Sequence, residues 1–303
     1  MAARFVLVAA LVALLATACG TERRPRSEPR GSTSLDSLLK RPGQDVAAVA
    51  GDEDFAIGDV RFSFLVIDHQ ARAVERVRAR VWLARSRSAP PLERASALLE
   101  PIGVRGRSEA ASGGVRNIYV VHLRVRRPGR YWLVAEPVGA HIQALASIDV
   151  KRRTQSPAIG AKAPASATPT LASAHGRTSE LTTRIPPDRA LLRYSVADSL
   201  AAHKPFVVTF ATPRYCTSRT CGPVVDVVEQ ARRRYERDGI RFIHVEVYAG
   251  NNPARGYNRW MKQWSLQSEP WTFVVGRDGR IKAKFEGSVS VQELSAAVRR
   301  FLD

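Results

Sequence analysis

Residues 206–228 read FVVTFATPRYCTSRTCGPVVDVV, and the rest of the chain is organised around them. Phe206-Val207-Val208-Thr209-Phe210 is an apolar, β-branched run of the right length for a buried strand. Ala211-Thr212-Pro213 follows as a turn, and then come Cys216 and Cys221. Gly222-Pro223 opens a helix, because proline suits a first-turn position where its missing N–H has no intrahelical partner. Val224, Val228, Ala231 and Tyr235 recur at helical spacing and form one apolar stripe. Gly239 stands where a left-handed residue closes a helix.

A strand, a cysteine-bearing loop and a helix N-terminus in succession make a redox site an expectation. Partial positive charge at a helix N-terminus favours a thiolate and lowers a cysteine pKa. The spacing is C-x4-C. Cα atoms five residues apart on one α-helix lie roughly 8 Å apart, whereas a disulfide needs less than about 7 Å. If the two pair, Thr217-Ser218-Arg219-Thr220 is a loop and regular helix begins near Cys221. Three states stay open from these residues: a fixed structural disulfide, two buried free thiols, and a redox pair.

The chain has 303 residues with 45% hydrophobic content and a formal net charge of +19. Its basic residues are 40 Arg against 7 Lys, scattered along the chain rather than clustered with stacking aromatics. That distribution argues against a nucleic-acid surface. Attraction to anionic lipid or cell-wall polymer follows from the charge alone.

Residues 1–18 read as a signal peptide: one arginine, an apolar run from Phe5 to Leu15, then small residues. Leu15-Ala16-Thr17-Ala18-Cys19-Gly20 resembles a bacterial lipoprotein box, departing from it in the place of its leucine. The resemblance implies that Cys19 is lipidated and anchors the chain to the membrane; ordinary secretion with an unmodified Cys19 is the alternative. Either places the mature chain outside the cytoplasm, where disulfides persist. Residues 19–50 are rich in Arg, Ser, Pro and Gly and read as a flexible tether.

Residues 51–150 hold short strand-like runs: Val60–Val66, the alternating Val77–Leu83, Ile118–Val125, Tyr131–Ala135 and Ala144–Val150. Turn residues separate them, and the expectation is an all-β, immunoglobulin-like sandwich. His122 and His141 are isolated and read as packing or surface residues. Residues 151–187 read as a Pro/Ala-rich linker. Within it, Pro157-Ala158-Ile159-Gly160-Ala161-Lys162-Ala163-Pro164 resembles the lead-in before many membrane-anchored thioredoxin-like domains and is expected as a hairpin at a domain edge.

From Asp188 onward helix and strand patterns alternate: a short helix at 195–202, strands at 206–210, 240–248 and 271–275, an Asp278-Gly279 hairpin turn, a strand at 281–285 and a closing helix at 291–302. This order implies a central mixed sheet covered on both faces. Phe210-Ala211 before the cysteine loop, Tyr215-Cys216, Cys221-Gly222-Pro223 and Glu269-Pro270-Trp271-Thr272 then carry a resemblance. Together with Gly276-Arg277-Asp278-Gly279-Arg280-Ile281 they resemble the thioredoxin superfamily, specifically extracytoplasmic TlpA/ResA-like thiol-disulfide oxidoreductases. The resemblance covers residues 188–303 and implies an α/β thioredoxin-like domain.

It further implies thiol-disulfide exchange on extracytoplasmic protein thiols or disulfides through Cys216 and Cys221. Cys216, which follows Tyr215 as a thioredoxin nucleophile follows its aromatic, is then the expected attacking thiol, while the helix N-terminus near Cys221 argues for the reverse order and leaves both open. An unknown redox partner is needed, and Pro270 lies in cis beside the sulfurs. Trp260, Trp264 and Trp271 are candidates to line the substrate groove, against the commoner use of such rings in a core. No cofactor and no metal are expected. The departure is Val224, which stands where C-G-P-C has its second cysteine; the partner is upstream, at Cys216. Two alternatives remain: a non-enzymatic cell-envelope binding lipoprotein stapled by a structural disulfide, and a Sco-like metal chaperone. The latter family uses C-x3-C-P and a distant histidine, but here no histidine follows His244, which reads as packing.

Overall fold

The computed structural model of the chain describes residues 33–107 and 115–302. The expected signal peptide and Cys19 lie outside them. Among the described residues no helix is long and apolar enough to cross a membrane.

Eight strands form one sheet: β1 (Val46–Ala50), β2 (Phe55–Ala56), β3 (Gly58–Asp68), β4 (Arg78–Ala84), β5 (Glu93–Pro101), β6 (Asn117–Val125), β7 (Gly129–Pro137) and β8 (Ala144–Lys151). Their order is β1-β3-β6-β5-β4-β7-β8-β2. The two edge strands, β1 and β2, are joined by Gly51-Asp52-Glu53-Asp54, which can span at most about 18 Å. The sheet must therefore curl until its edges approach. Alternation along β3 and β6 turns Phe62, Phe64, Tyr119 and Val121 into the enclosed core. The rings of Phe62, Phe64 and Tyr119 stack there, with centroids 5.2 and 5.3 Å apart.

Four further strands form a small mixed sheet, ordered β10-β9-β11-β12. They are β9 (Phe206–Phe210), β10 (Arg241–Val245), β11 (Trp271–Val275) and β12 (Ile281–Glu286). β10 runs parallel to β9, while β11 is antiparallel to both β9 and β12. Every residue of β9 and β11 is buried. On one face Val207 and Val274 meet Val224, Val228 and Ala231 of a long helix, α3 (Cys221–Tyr235), and Leu294 and Val298 of α5 (Val291–Leu302). On the other face Phe206, Val208, Phe210 and Phe273 pack with Met261 and Trp264. Gly239 takes φ 80° just after the single 3-10 turn that ends α3, as the sequence leads one to expect.

The chain is mostly β, and this overturns the class expected from the sequence, an α/β thioredoxin-like domain behind an immunoglobulin-like sandwich. Two observations decide it. The strands of residues 46–151 follow one another in a single hydrogen-bonded order, so they build one curled sheet and not two facing ones. Against twelve strands, three of the five described α-helices are short: α1 (Leu35–Leu39), α2 (Val196–Ala201) and α4 (Arg259–Gln263) have five or six residues each. A one- or two-turn helix adds little hydrogen bonding of its own.

The described part of the expected tether, residues 33–50, and the expected linker at 151–187 are both folded. Within the expected tether, Ser34 caps α1, Leu35 and Leu38 are buried against Ala84 and Val134, and β1 pairs with β3. The leucine pattern was too short to announce a helix, but two buried leucines offset the entropy of ordering it. The expected linker is packed as well. Gly160 N–H donates to the Ile281 carbonyl (2.8 Å), Ala163 N–H to that of Gly279 (2.9 Å), and Ile281 N–H to that of Ala161 (2.9 Å), so the lead-in adds to the β12 edge. Ser166 accepts from Trp264 Nε1 (3.0 Å) and the Ala167 carbonyl from Trp260 Nε1 (3.0 Å).

The two sheets are joined by buried charges. Arg61 on β3 reaches Glu293 on α5 (2.7 Å), Asp52 (3.1 Å) and the Ser288 carbonyl (2.8 Å). Glu286 accepts from the backbone N–H groups of Glu53 and Asp54 at 2.8 and 2.7 Å.

Candidate functional site

The cysteine loop leaves the C-terminal end of β9, at the centre of the small sheet. Thr212 to Tyr215 turn, Thr217 to Arg219 turn again, and α3 begins at Cys221. Thr217 to Thr220 is thus a loop, as the spacing required. Arg219 carries the bend with φ 59°, a left-handed conformation that costs a non-glycine residue about 1 kcal/mol. The bend brings the Cys221 backbone N–H to 3.2 Å from Cys216 Sγ.

The two thiols sit in unlike surroundings. Cys216 is half-buried and Cys221 is fully buried, packed among the α3 valines. The Cys221 thiol donates to Cys216 Sγ, and Ser218 Oγ lies 3.2 Å from it. These donors, the Cys221 thiol first, bring the Cys216 pKa down to about 6 against the opposing effect of burial. Burial pushes the Cys221 thiol well up, and its bond to Cys216 adds to the rise. The helix N-terminus therefore serves Cys216, the residue outside the helix, because the N–H of α3's first residue points at it.

Pro270 precedes β11, and its neighbour Trp271 pairs in register with Phe210 at the end of β9. This places residues 269–270 beside Ala211 and Thr212. The Glu269–Pro270 peptide is cis. Glu269 is close enough to raise the pKa of both cysteines. Its carboxylate accepts from Tyr257 Oη (2.7 Å) and Tyr248 Oη (3.4 Å). The two tyrosine rings stack at 5.5 Å. Burial and the Glu269 charge hold both phenols up.

The tryptophans are used differently from the groove-lining expectation. Trp264 and Trp271 are buried in the sheet core against Phe273, with centroids 4.7 and 5.5 Å away. Trp260 is tied to the Ala167 carbonyl. His244 is buried, and burial lowers its pKa. It does more than fill space: its Nε2 lies 3.0 Å from the Ala211 carbonyl and its Nδ1 lies 3.3 Å from Thr182 Oγ1. It therefore ties the root of the cysteine loop to the 178–187 segment. His122 is exposed on β6, paired in register with Arg61.

Sequence reasoning did not single out Glu269 as a charged group, Tyr248, Tyr257 or Thr183. Tyr248 and Tyr257 are nine residues apart with no regular element carrying both, so no periodicity links them. Thr183 Oγ1 accepts from the Arg214 backbone N–H (3.2 Å), a contact no local pattern announces. Among the described residues no group of three or more His, Cys, Asp or Glu side chains could hold a metal ion.

No family model matches the chain, and no curated protein matches it. Among solved structures, the crystal structure of the Lin-41 filamin domain is similar at 11% sequence identity and a TM-score of 0.23, covering 37% of this chain and 97% of that one. A likeness at that level carries no functional argument.

Proposed function

We propose that this chain exchanges disulfides with extracytoplasmic proteins through Cys216 and Cys221, held at the membrane by lipid on Cys19. The observation that carries the reading is the asymmetry of the pair. One thiol is half-buried and accepts from the first backbone N–H of α3, which helps bring its pKa down to about 6; the other is fully buried, which pushes its pKa well up.

In the reducing direction the Cys216 thiolate attacks one sulfur of a client disulfide. The client S–S bond breaks, a mixed disulfide forms, and one client thiolate leaves and takes a proton from water. Cys221 then gives up its proton and attacks Cys216 Sγ. The second client thiol departs, and the Cys216–Cys221 disulfide holds the two oxidising equivalents. A partner dithiol or disulfide of suitable potential resets the pair, and the same steps reversed oxidise a client. Pro270 and Glu269 border the reacting sulfurs.

Cys221→Ser should accumulate mixed disulfides through Cys216 that dissolve in dithiothreitol, and Cys216→Ser should not. A Cys216–Cys221 disulfide with a reduction potential below about −300 mV, together with no trapping by either variant, would make the pair a static staple and end the proposal.

A further inference from the structure

A cleft of about 330 Å³ opens directly beside the cysteine loop. One wall is the 182–187 segment, with Thr183 and Ile185; the other is Arg214 and Tyr215, next to Cys216; Asn251 closes an end. The walls are fixed. Arg214 N–H donates to Thr183 Oγ1, Thr183 N–H and Oγ1 donate to the buried Glu246 at 2.6 and 2.7 Å, and Asn251 Nδ2 donates to the Ser179 carbonyl at 2.9 Å. Arg184 anchors the segment to Asp226 (2.6 Å) and Glu229 (2.7 Å) on α3.

Two features of this cleft point to a ligand. Ile185 is 87% exposed at its lip, the largest exposure of any big apolar side chain among the described residues. Its side chain adds apolar area at the cleft edge that a seated peptide would remove from water. The charge is one-sided as well. Among the described residues no Asp or Glu lines the cleft. Arg214 stands exposed with its guanidinium 5.5 Å from the Tyr215 ring centre, and Arg219 is exposed on the same loop.

We infer that this cleft docks the client segment flanking the reactive disulfide, and that the segment it selects is an extended peptide carrying an aliphatic residue beside acidic ones. The inference rests on exchange through Cys216. The aliphatic side chain packs on Ile185 and Tyr215 while carboxylates meet Arg214 and Arg219. A peptide seated there places its sulfur at Cys216 because the cleft and the nucleophile share one loop.

The test uses two peptide disulfides of identical length, one flanked by Leu-Asp-Asp and one by Leu-Lys-Lys, with 5,5′-dithiobis(2-nitrobenzoate) as a small disulfide that needs no cleft. Wild-type protein should react about three- to five-fold faster with the acidic peptide, a difference that shrinks in 0.5 M salt. Arg214→Glu should reverse the preference. Ile185→Ser should slow the acidic peptide by about five- to ten-fold and leave the small disulfide unchanged. Equal rates for the two peptides, or an unchanged ratio in Arg214→Glu, overturn the docking inference while normal reaction with the small disulfide keeps the exchange reading. Absence of reaction with all three sinks the exchange reading itself. The cleft is then read by fluorescence anisotropy with labelled peptides whose cysteines are serine. Tighter binding of the acidic peptide, lost in Arg214→Glu, upholds the cleft, and equal binding of both refutes it.

Discussion

The acidity of Cys216 is traced above to donors on Cys221, and that can be tested atom by atom. Cys221→Ala removes the thiol that donates to Cys216 Sγ but keeps the backbone N–H at 3.2 Å. A hydrogen bond to a charged acceptor is worth about 1.5 kcal/mol at the lower end, where a weak S–H donor belongs. At 1.36 kcal/mol per pKa unit this is roughly one unit, so the midpoint should move from about 6 to about 7. Cys221→Ser puts a hydroxyl donor in the same place and should keep the midpoint near that of the wild type. The assay is the rate of iodoacetamide alkylation against pH, with circular dichroism confirming the fold. The rate rises as pH rises through the Cys216 pKa and levels off once the thiolate is fully formed. The midpoint is the readout, because a more basic thiolate is also a better nucleophile. With a Brønsted slope near 0.45, the Cys221→Ala plateau should stand about three-fold higher. A wild-type midpoint near the ordinary value of about 8.5 would refute the donor argument. So would Ala and Ser variants with the same midpoint.

Glu269→Gln removes a charge that opposes both thiolates, so the Cys216 midpoint should fall by about half a unit, measured in the same alkylation profile. Leu38→Ala should cost about 2–4 kcal/mol in urea unfolding because Leu38 is buried against the large sheet, whereas a flexible tether would show no change. Arg61→Ala strands the buried carboxylates of Asp52 and Glu293 and should cost about 3–5 kcal/mol in the same assay. Cys19→Ala should release the protein from membranes into the soluble fraction on centrifugation; retention with no lipid on the wild-type N-terminus would count against the anchor.

The sequence was most legible where short-range chemistry acts. The apolar run 206–210, the C-x4-C geometry and Gly239 each state their conformation through one local rule, and strand, loop and helix lie where those rules put them. The class of the fold was not legible, because it depends on which strand pairs with which. Nothing in Val46–Ala50 or Phe55–Ala56 says that these neighbours become opposite edges of one curled sheet. Composition misled at 33–50 and 151–187. Proline- and alanine-rich sequence usually marks a solvated chain, but Leu35, Leu38 and Ala163 are each buried by partners more than thirty residues away, and Leu181 is buried against Ala174 and Leu192. The cysteines were legible as a pair. Their unequal surroundings were not, since these depend on which thiol the helix N-terminus faces.

If the pair exchanges disulfides as proposed, its placement lets one loop cycle without disturbing the fold. Cys216 and Cys221 enclose a loop of four residues, and closing so small a ring constrains the unfolded chain by only about 2 kcal/mol. The structure at either end is fixed independently of the sulfurs. His244 holds the Ala211 carbonyl at the start of the loop, and Arg184 holds Asp226 and Glu229 one and two turns into α3. Gain or loss of an S–S bond is therefore confined to the Thr217–Thr220 bend, where Ser218, Thr220 and Cys216 exchange hydrogen bonds among themselves at 2.8 and 3.2 Å. The cleft wall is tied to the same loop one residue before Tyr215, through Arg214 N–H and Thr183 Oγ1. The Cys216 end of the bend adjoins Tyr215 and Arg214, the two loop residues that line the cleft, whereas Cys221 sits in the valine core.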